Sequence, residues 1–72
     1  MDYIQLQGIG RKQATKAENI KVGNTLIWNF GETSKVTAIL KETEKQIVIE
    51  EEYKSGKRYE RRLGKNRLIA IQ

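Results

Sequence analysis

Between Tyr53 and Arg67 the chain sets seven cations, Lys54, Lys57, Arg58, Arg61, Arg62, Lys65 and Arg67, against one anion, Glu60. Cations at this density suit phosphate oxygens, and the interleaved ring of Tyr59 offers a face on which a base can stack. Lys54, Lys57, Arg58, Tyr59, Arg62, Lys65 and Arg67 are therefore candidate nucleic-acid-binding residues. Arg11 and Lys12 join them from a second basic cluster that also holds Lys16 and Lys21 and is offset only by Glu18. A competing arrangement uses the same residues. Glu50, Glu51 and Glu52 precede the basic run, and a hairpin would lay them beside the arginines as a charge-paired surface, each exposed pair contributing only ~0–1 kcal/mol. Pairing three glutamates still leaves Lys54, Lys57, Lys65 and Arg67 in excess.

Other chemistries find little support. The chain has no cysteine and no histidine, so it offers no thiolate, no disulfide, no Cys/His zinc site and no imidazole base. Neighbours within Glu50–Glu52 alternate faces on a strand, so no two adjacent ones converge as a carboxylate pair. No phosphate loop or nucleophile elbow occurs. An enzyme is not expected, and neither a cofactor nor a metal is implied. Trp28, in phase with Leu26 and Phe30, reads as a core or half-buried ring rather than a ligand platform.

These residues must be positioned by a small scaffold. Seventy-two residues allow one domain, and a chain of this size buries only roughly 60% of its unfolded surface. The net charge is +5, but the stretch from Glu32 to Glu52 holds six glutamates and three lysines, so charge is dipolar along the chain. No apolar run approaches the roughly 20 residues of a membrane span. The opening MDYIQLQG lacks the basic and apolar regions of a secretory signal. A cytoplasmic protein without a membrane partner is expected.

Residues 1–14 show no sustained apolar period, and Gly8 and Gly10 add chain entropy. A flexible basic arm is expected there. Thr15-Lys16-Ala17-Glu18 fits a capping box and predicts about one helical turn, ended by Asn19. Ile20 and Val22 then point inward before the Gly23-Asn24 turn. From Thr25 the period becomes two. Thr25–Phe30, Lys35–Lys41, Gln46–Tyr53, Arg58–Leu63 and Arg67–Ile71 read as five strands. The expected core is Leu26, Trp28, Val36, Leu40, Ile47, Ile49, Leu63 and Leu68. Pairing Tyr53 with Tyr59, Glu51 with Arg61 and Ile49 with Leu63 keeps the apolar residues of the basic hairpin on one face.

Two resemblances bear on this reading. Leu6–Ala17, LQGIGRKQATKA, resembles the hinge of a helix-hairpin-helix through Leu6, Gly8, Ile9, Gly10, Lys12 and Ala14. That element needs a helix on both sides, and neither five preceding residues nor the β-pattern after Gly23 provides one. Ile20-Lys21-Val22-Gly23-Asn24-Thr25-Leu26, then Gly31, Val36–Leu40 and the Gly64–Asn66 break, resembles small SH3-like barrels, including KOW modules and the entry strand of Hint domains. The Ala-Leu-Tyr-Asp-Tyr signature of peptide-binding SH3 domains and the Hint nucleophile are both missing, so the resemblance implies a fold and no activity. As a whole the chain also resembles small proteins of bacterial phages and mobile elements.

The expectation is thus an all-β chain: a flexible arm over 1–14, then a five-stranded SH3-like barrel over 15–72 with one short helical turn before its first strand. The leading function is a non-catalytic module binding DNA or RNA through phosphates. The alternative is a protein-interaction or structural accessory protein with an unknown protein partner, for which the resemblance implies a phage origin.

Overall fold

In a computed structural model, which describes residues 2–72, the chain is all-β. Seven strands form one antiparallel sheet: β1 (Asp2–Leu6), β2 (Gly10–Lys16), β3 (Thr25–Ile27), β4 (Thr33–Glu42), β5 (Gln46–Tyr53), β6 (Arg58–Gly64) and β7 (Leu68–Ile71). Their order across the sheet is β1-β2-β7-β3-β4-β5-β6. The sheet is not a closed barrel, because among the described residues β1 and β6 do not pair. A 3₁₀ turn over Ala17–Asn19 follows β2 and reaches across to the connection between β6 and β7. There Ala17 N–H donates to the Arg67 carbonyl at 2.9 Å and Glu18 N–H to that of Lys65 at 3.2 Å.

The two strands beyond the expected five come from the segment read as a flexible arm. Asp2–Leu6 pairs with Gly10–Ala14, and residues 14–16 continue along β7. Met1, the first residue of that expected arm, lies outside the described residues. Gly8 and Gly10 both take positive φ, so the helix-hairpin-helix hinge is instead the Gln7-Gly8-Ile9 turn of a β-hairpin. The arm has few apolar groups because it shares them: Leu6 and Ala14 are buried.

The helical turn is present, but not its capping box. Thr15 is a strand residue opposite Ile69, so the turn begins after Lys16 and no side chain caps it. Ile20 is buried as expected, whereas Val22 is exposed.

The core gathers Ala17, Ile20, Leu26, Val36, Ile47, Ile49, Leu63 and Ile69, with Trp28, Ile39 and Ile71 packed against it. Leu40 does not belong to it. Two register shifts in β4, between Val36 and Ala38 and between Ile39 and Lys41, each insert an extra residue. Each bulge reverses the inward-outward alternation, so Ile39 packs inward and Leu40 is exposed. In β7 it is Ile69 that enters the core, with Leu68 only half-buried. Strand β3 ends at Ile27, and Phe30 leaves the apolar row. Its φ is +64°, and it is 75% exposed in a second 3₁₀ turn (Asn29–Gly31). That turn is tied to the β1–β2 turn, where Phe30 N–H donates to the Gln7 carbonyl at 2.6 Å and Gln7 N–H to Asn29 Oδ1 at 3.0 Å.

The β5–β6 register differs from expectation by two residues. Ile47 faces Leu63, Ile49 faces Arg61, Glu51 faces Tyr59 and Glu52 faces Arg58. Gly56 takes φ +86° in the Lys54-Ser55-Gly56-Lys57 turn, and Tyr53 N–H donates to the Lys57 carbonyl at 3.0 Å, so the hairpin closes on Tyr53 and Lys57 and not on Tyr53 and Tyr59. A slip of two leaves every side chain on its expected face.

Gly8→Ala should destabilise the protein by about 1–2 kcal/mol, because alanine resists positive φ and its Cβ would lie 2.7 Å from Phe30 Cδ1. Gly64→Ala, at ordinary φ with nothing within 4 Å, should lose no more than ~0.5 kcal/mol. Urea denaturation of the two variants measures both.

Candidate functional site

Strand β5 alternates so that Ile47, Ile49, Glu51 and Tyr53 face inward. The third of these is a carboxylate on the core face, 1% exposed. Such a group must be hydrogen-bonded and paired to be tolerated, and three neighbouring side chains meet that need. Ser34 Oγ donates to Glu51 Oε2 at 3.0 Å, and Tyr53 Oη donates to Oε1 at 2.8 Å. Arg61 Nε donates to the same Oε1 at 3.0 Å. Ser34 Oγ itself accepts from Trp28 Nε1 at 3.0 Å, and Arg61 Nη2 donates to Tyr53 Oη at 3.0 Å. The Arg61 guanidinium also stacks on the Trp28 ring, 4.1 Å from its centroid.

Burial raises the Tyr53 phenol pKa above its ordinary value, and the hydrogen bond to Glu51 adds to that while Arg61 opposes it. Burial works against the Arg61 charge, but its bonds to Glu51 and Tyr53 prevail and leave its pKa raised.

Arg61 remains 34% exposed, on the wall of an open cleft of ≈ 740 Å³. Tyr53, Lys57, Tyr59 and Arg62 contribute to the same cleft, with Glu32 and Glu60 also on its lining. Tyr59 meets Tyr53 edge-on, with centroids 5.6 Å apart, and is 51% exposed.

The opposite face of β4–β6 reads as rows across three strands. Lys35, Glu52 and Arg58 form one row, Ala38, Glu50 and Glu60 the next, and Lys41, Val48 and Arg62 the third. Arg58 is therefore committed within the protein. It bonds Glu52 at 3.0 Å and lies 3.6 Å from Glu50, and the Glu52 hydrogen bond raises its pKa. Arg62 lies beside Val48 with no acid in its row, and because β6 is the edge strand it also borders the cleft of the other face.

The sequence-predicted residues thus do not form one patch. Lys54 and Lys57 lie at the β5–β6 turn, with Tyr59 close by on the cleft side. Lys65 and Arg67 belong to the β6–β7 turn, beyond the far end of β6. There Lys65 pairs with Glu42 at 2.8 Å and its N–H donates to the Lys45 carbonyl. Arg11 and Lys12 lie on β2, which pairs with β1 and β7 and not with β6. Arg11 stacks on Tyr3, 4.6 Å from the ring centroid.

Sequence reasoning missed Arg61 as a site residue, together with the Glu51, Ser34, Tyr53 and Trp28 set that holds it. A signal was present in QIVIEEEY. A glutamate in phase with Ile47 and Ile49 requires a cation on the same face of the next strand, and Arg61 alternates with Leu63 to supply it.

Compared with known proteins, the chain matches no family model, no curated protein and no solved structure. No helix of the described residues is long and apolar enough to cross a membrane.

Glu51→Gln should cost about 2–4 kcal/mol, somewhat below a fully enclosed pair because Arg61 keeps one side in solvent. Glu52→Gln, which breaks only an exposed pair, should cost less than ~1 kcal/mol. Combining Glu51→Gln with Arg61→Met should lose less than the two single changes added, since both charges then leave together. Denaturant titrations of the four variants make the comparison. Tyr53 supplies a pH test. Between the ordinary value of about 10 and its raised value, the unfolded chain releases a phenolic proton that the folded chain keeps. Stability should therefore fall as pH rises above about 10, and less steeply in Tyr53→Phe.

Proposed function

We propose that the protein is a non-catalytic nucleic-acid-binding module that holds the sugar–phosphate backbone through cations of the β5–β6 hairpin. The observation that carries this reading is the cleft beside β6. Lys57 and Arg62, both exposed and in no ion pair among the described residues, line it together with the half-exposed ring of Tyr59. Lys54, exposed in the adjoining turn and equally without an acid partner there, extends the cationic edge. Ion pairs remove Arg58 and Lys65 from the contact set, so the interface is smaller than the basic run of the sequence. Lys54, Lys57 and Arg62 are its phosphate contacts.

A second reading, a protein-interaction module, is favoured by Phe30. A phenylalanine held at positive φ and three-quarters exposed is strained, and residues strained in this way cluster at active sites, ligand clamps and switch regions. Capture of a protein partner that Phe30→Ala abolishes and added salt does not would support it.

Three phosphate contacts release counterions enough for a slope of log K against log salt near −2.7 on duplex DNA. Lys57→Ala combined with Arg62→Ala should flatten that slope by ~1.8 and weaken binding to all sequences about equally. Fluorescence anisotropy across a salt series reads both quantities. Absence of binding to DNA and RNA of either strandedness at low salt would overturn the proposal.

A further inference from the structure

The cleft beside β6 holds more than loose surface cations. Arg61 is fixed on three sides: by the Glu51 carboxylate, by the Tyr53 hydroxyl and by the Trp28 ring. A guanidinium has five N–H donors, and these contacts use two of them. The remaining three, on Nη1 and Nη2, have no acceptor among the described residues, and the side chain is one-third exposed on the cleft wall. A buried carboxylate has thus been spent on orienting an arginine whose outer donors stay free. Glu51 does not compete with an incoming anion for these outer donors, because it takes only Arg61 Nε–H while its oxygens also accept from Ser34 and Tyr53. Glu32 and Glu60, the other acids on the lining, hold no hydrogen bond to Arg61.

Next to these donors stands Tyr59, whose edge-on contact with Tyr53 steadies the ring while half of it stays exposed. Lys57 lies on the same cleft. The combination is a forked donor for a phosphate, a point charge for a second anion and an aromatic ring for a base. An extended duplex does not offer an unstacked base to such a ring, whereas a single strand does.

Resting on the nucleic-acid reading, we infer that this cleft is a single-strand site. One phosphate binds Arg61, with Lys57 beside it, and the neighbouring base stacks on Tyr59. The outer cations Lys54 and Arg62 serve either strandedness; the cleft supplies the preference.

The test uses the full chain, a fluorescent 12-nucleotide oligo-dT, an oligo-rU of equal length and a duplex of equal length, titrated at one low salt concentration. The wild type should bind the single strands at least several-fold more tightly than the duplex. Tyr59→Ala should weaken single-strand binding by about tenfold and leave duplex binding unchanged, while Tyr59→Phe, which keeps the ring, should bind like the wild type. Tyr59 is half exposed, so its variants should melt close to the wild-type temperature. Arg61→Lys keeps the charge but loses the fork, and should also weaken single strands selectively. In the ¹⁵N spectrum the Arg61 Nε–H resonance should shift on adding oligo-dT and not on adding the duplex.

Equal affinity for both strandedness classes, or equal losses in Tyr59→Ala on both, would overturn the single-strand site while leaving the nucleic-acid reading intact. No binding of the wild type to any of the three probes would overturn both.

Discussion

One buried carboxylate organises the functional half of this molecule. Glu51 lies on the core face of β5, where an isolated charge would be several kcal/mol too costly to keep. It is tolerated because side chains from β4, β5 and β6 converge on it, with Trp28, just beyond β3, one hydrogen bond further out. The requirement runs both ways. Ser34 must sit inward on β4, Tyr53 must end β5 on the same side, and Arg61 must alternate inward on β6. Shifting β6 by one residue would turn Arg61 to the other face and leave the carboxylate without its cation. The ion pair therefore adds specificity of strand pairing to a sheet whose apolar core is small.

The same constraint sorts the cations. Seven stand between Tyr53 and Arg67, and in the sequence they look equivalent. Three are paired with glutamates: Arg58 with Glu52 and Glu50 and Lys65 with Glu42 at the surface, and Arg61 with the buried Glu51, a pair that leaves its outer N–H groups facing the cleft. The acidic stretch of the chain and its basic stretch thus cancel over much of the β4–β6 face. What remains positive is decided by register, row by row, and not by local density of lysine and arginine.

Much of the fold was legible because strand alternation is local. Period two alone places Leu26, Val36, Ile47, Ile49 and Leu63 in the core, and all five are buried. Leu40 failed because KVTAILK carries no glycine or other mark of the two bulges that reverse its alternation. The β1–β2 hairpin failed for a different reason. Its apolar groups are too few to suggest a strand in isolation, and its main partner, β7, lies more than fifty residues away in the chain. The candidate site was legible in part. Composition points to Tyr59 and Lys57, and alternation puts Glu51 and Arg61 on one face. The geometry that turns Arg61 from a structural partner into an available donor arises only when four side chains meet.

The place of β7 has a consequence for the order of assembly. This four-residue strand comes last of the seven along the chain, yet it lies third across the sheet, between β2 and β3. Until it arrives, the first hairpin can close on itself but has no edge of the main sheet to join, and β3 is left with β4 as its only neighbour. On the ribosome, the meander from β3 to β6 can pair as it emerges, while β1 and β2 wait as an isolated ribbon, a form that is marginal in water. Completion then requires contacts of long sequence separation, the kind that slow folding. A nascent chain stalled before Leu68 would hold a hairpin with nowhere to dock, so C-terminal truncation by a handful of residues should release the N-terminal hairpin from the sheet.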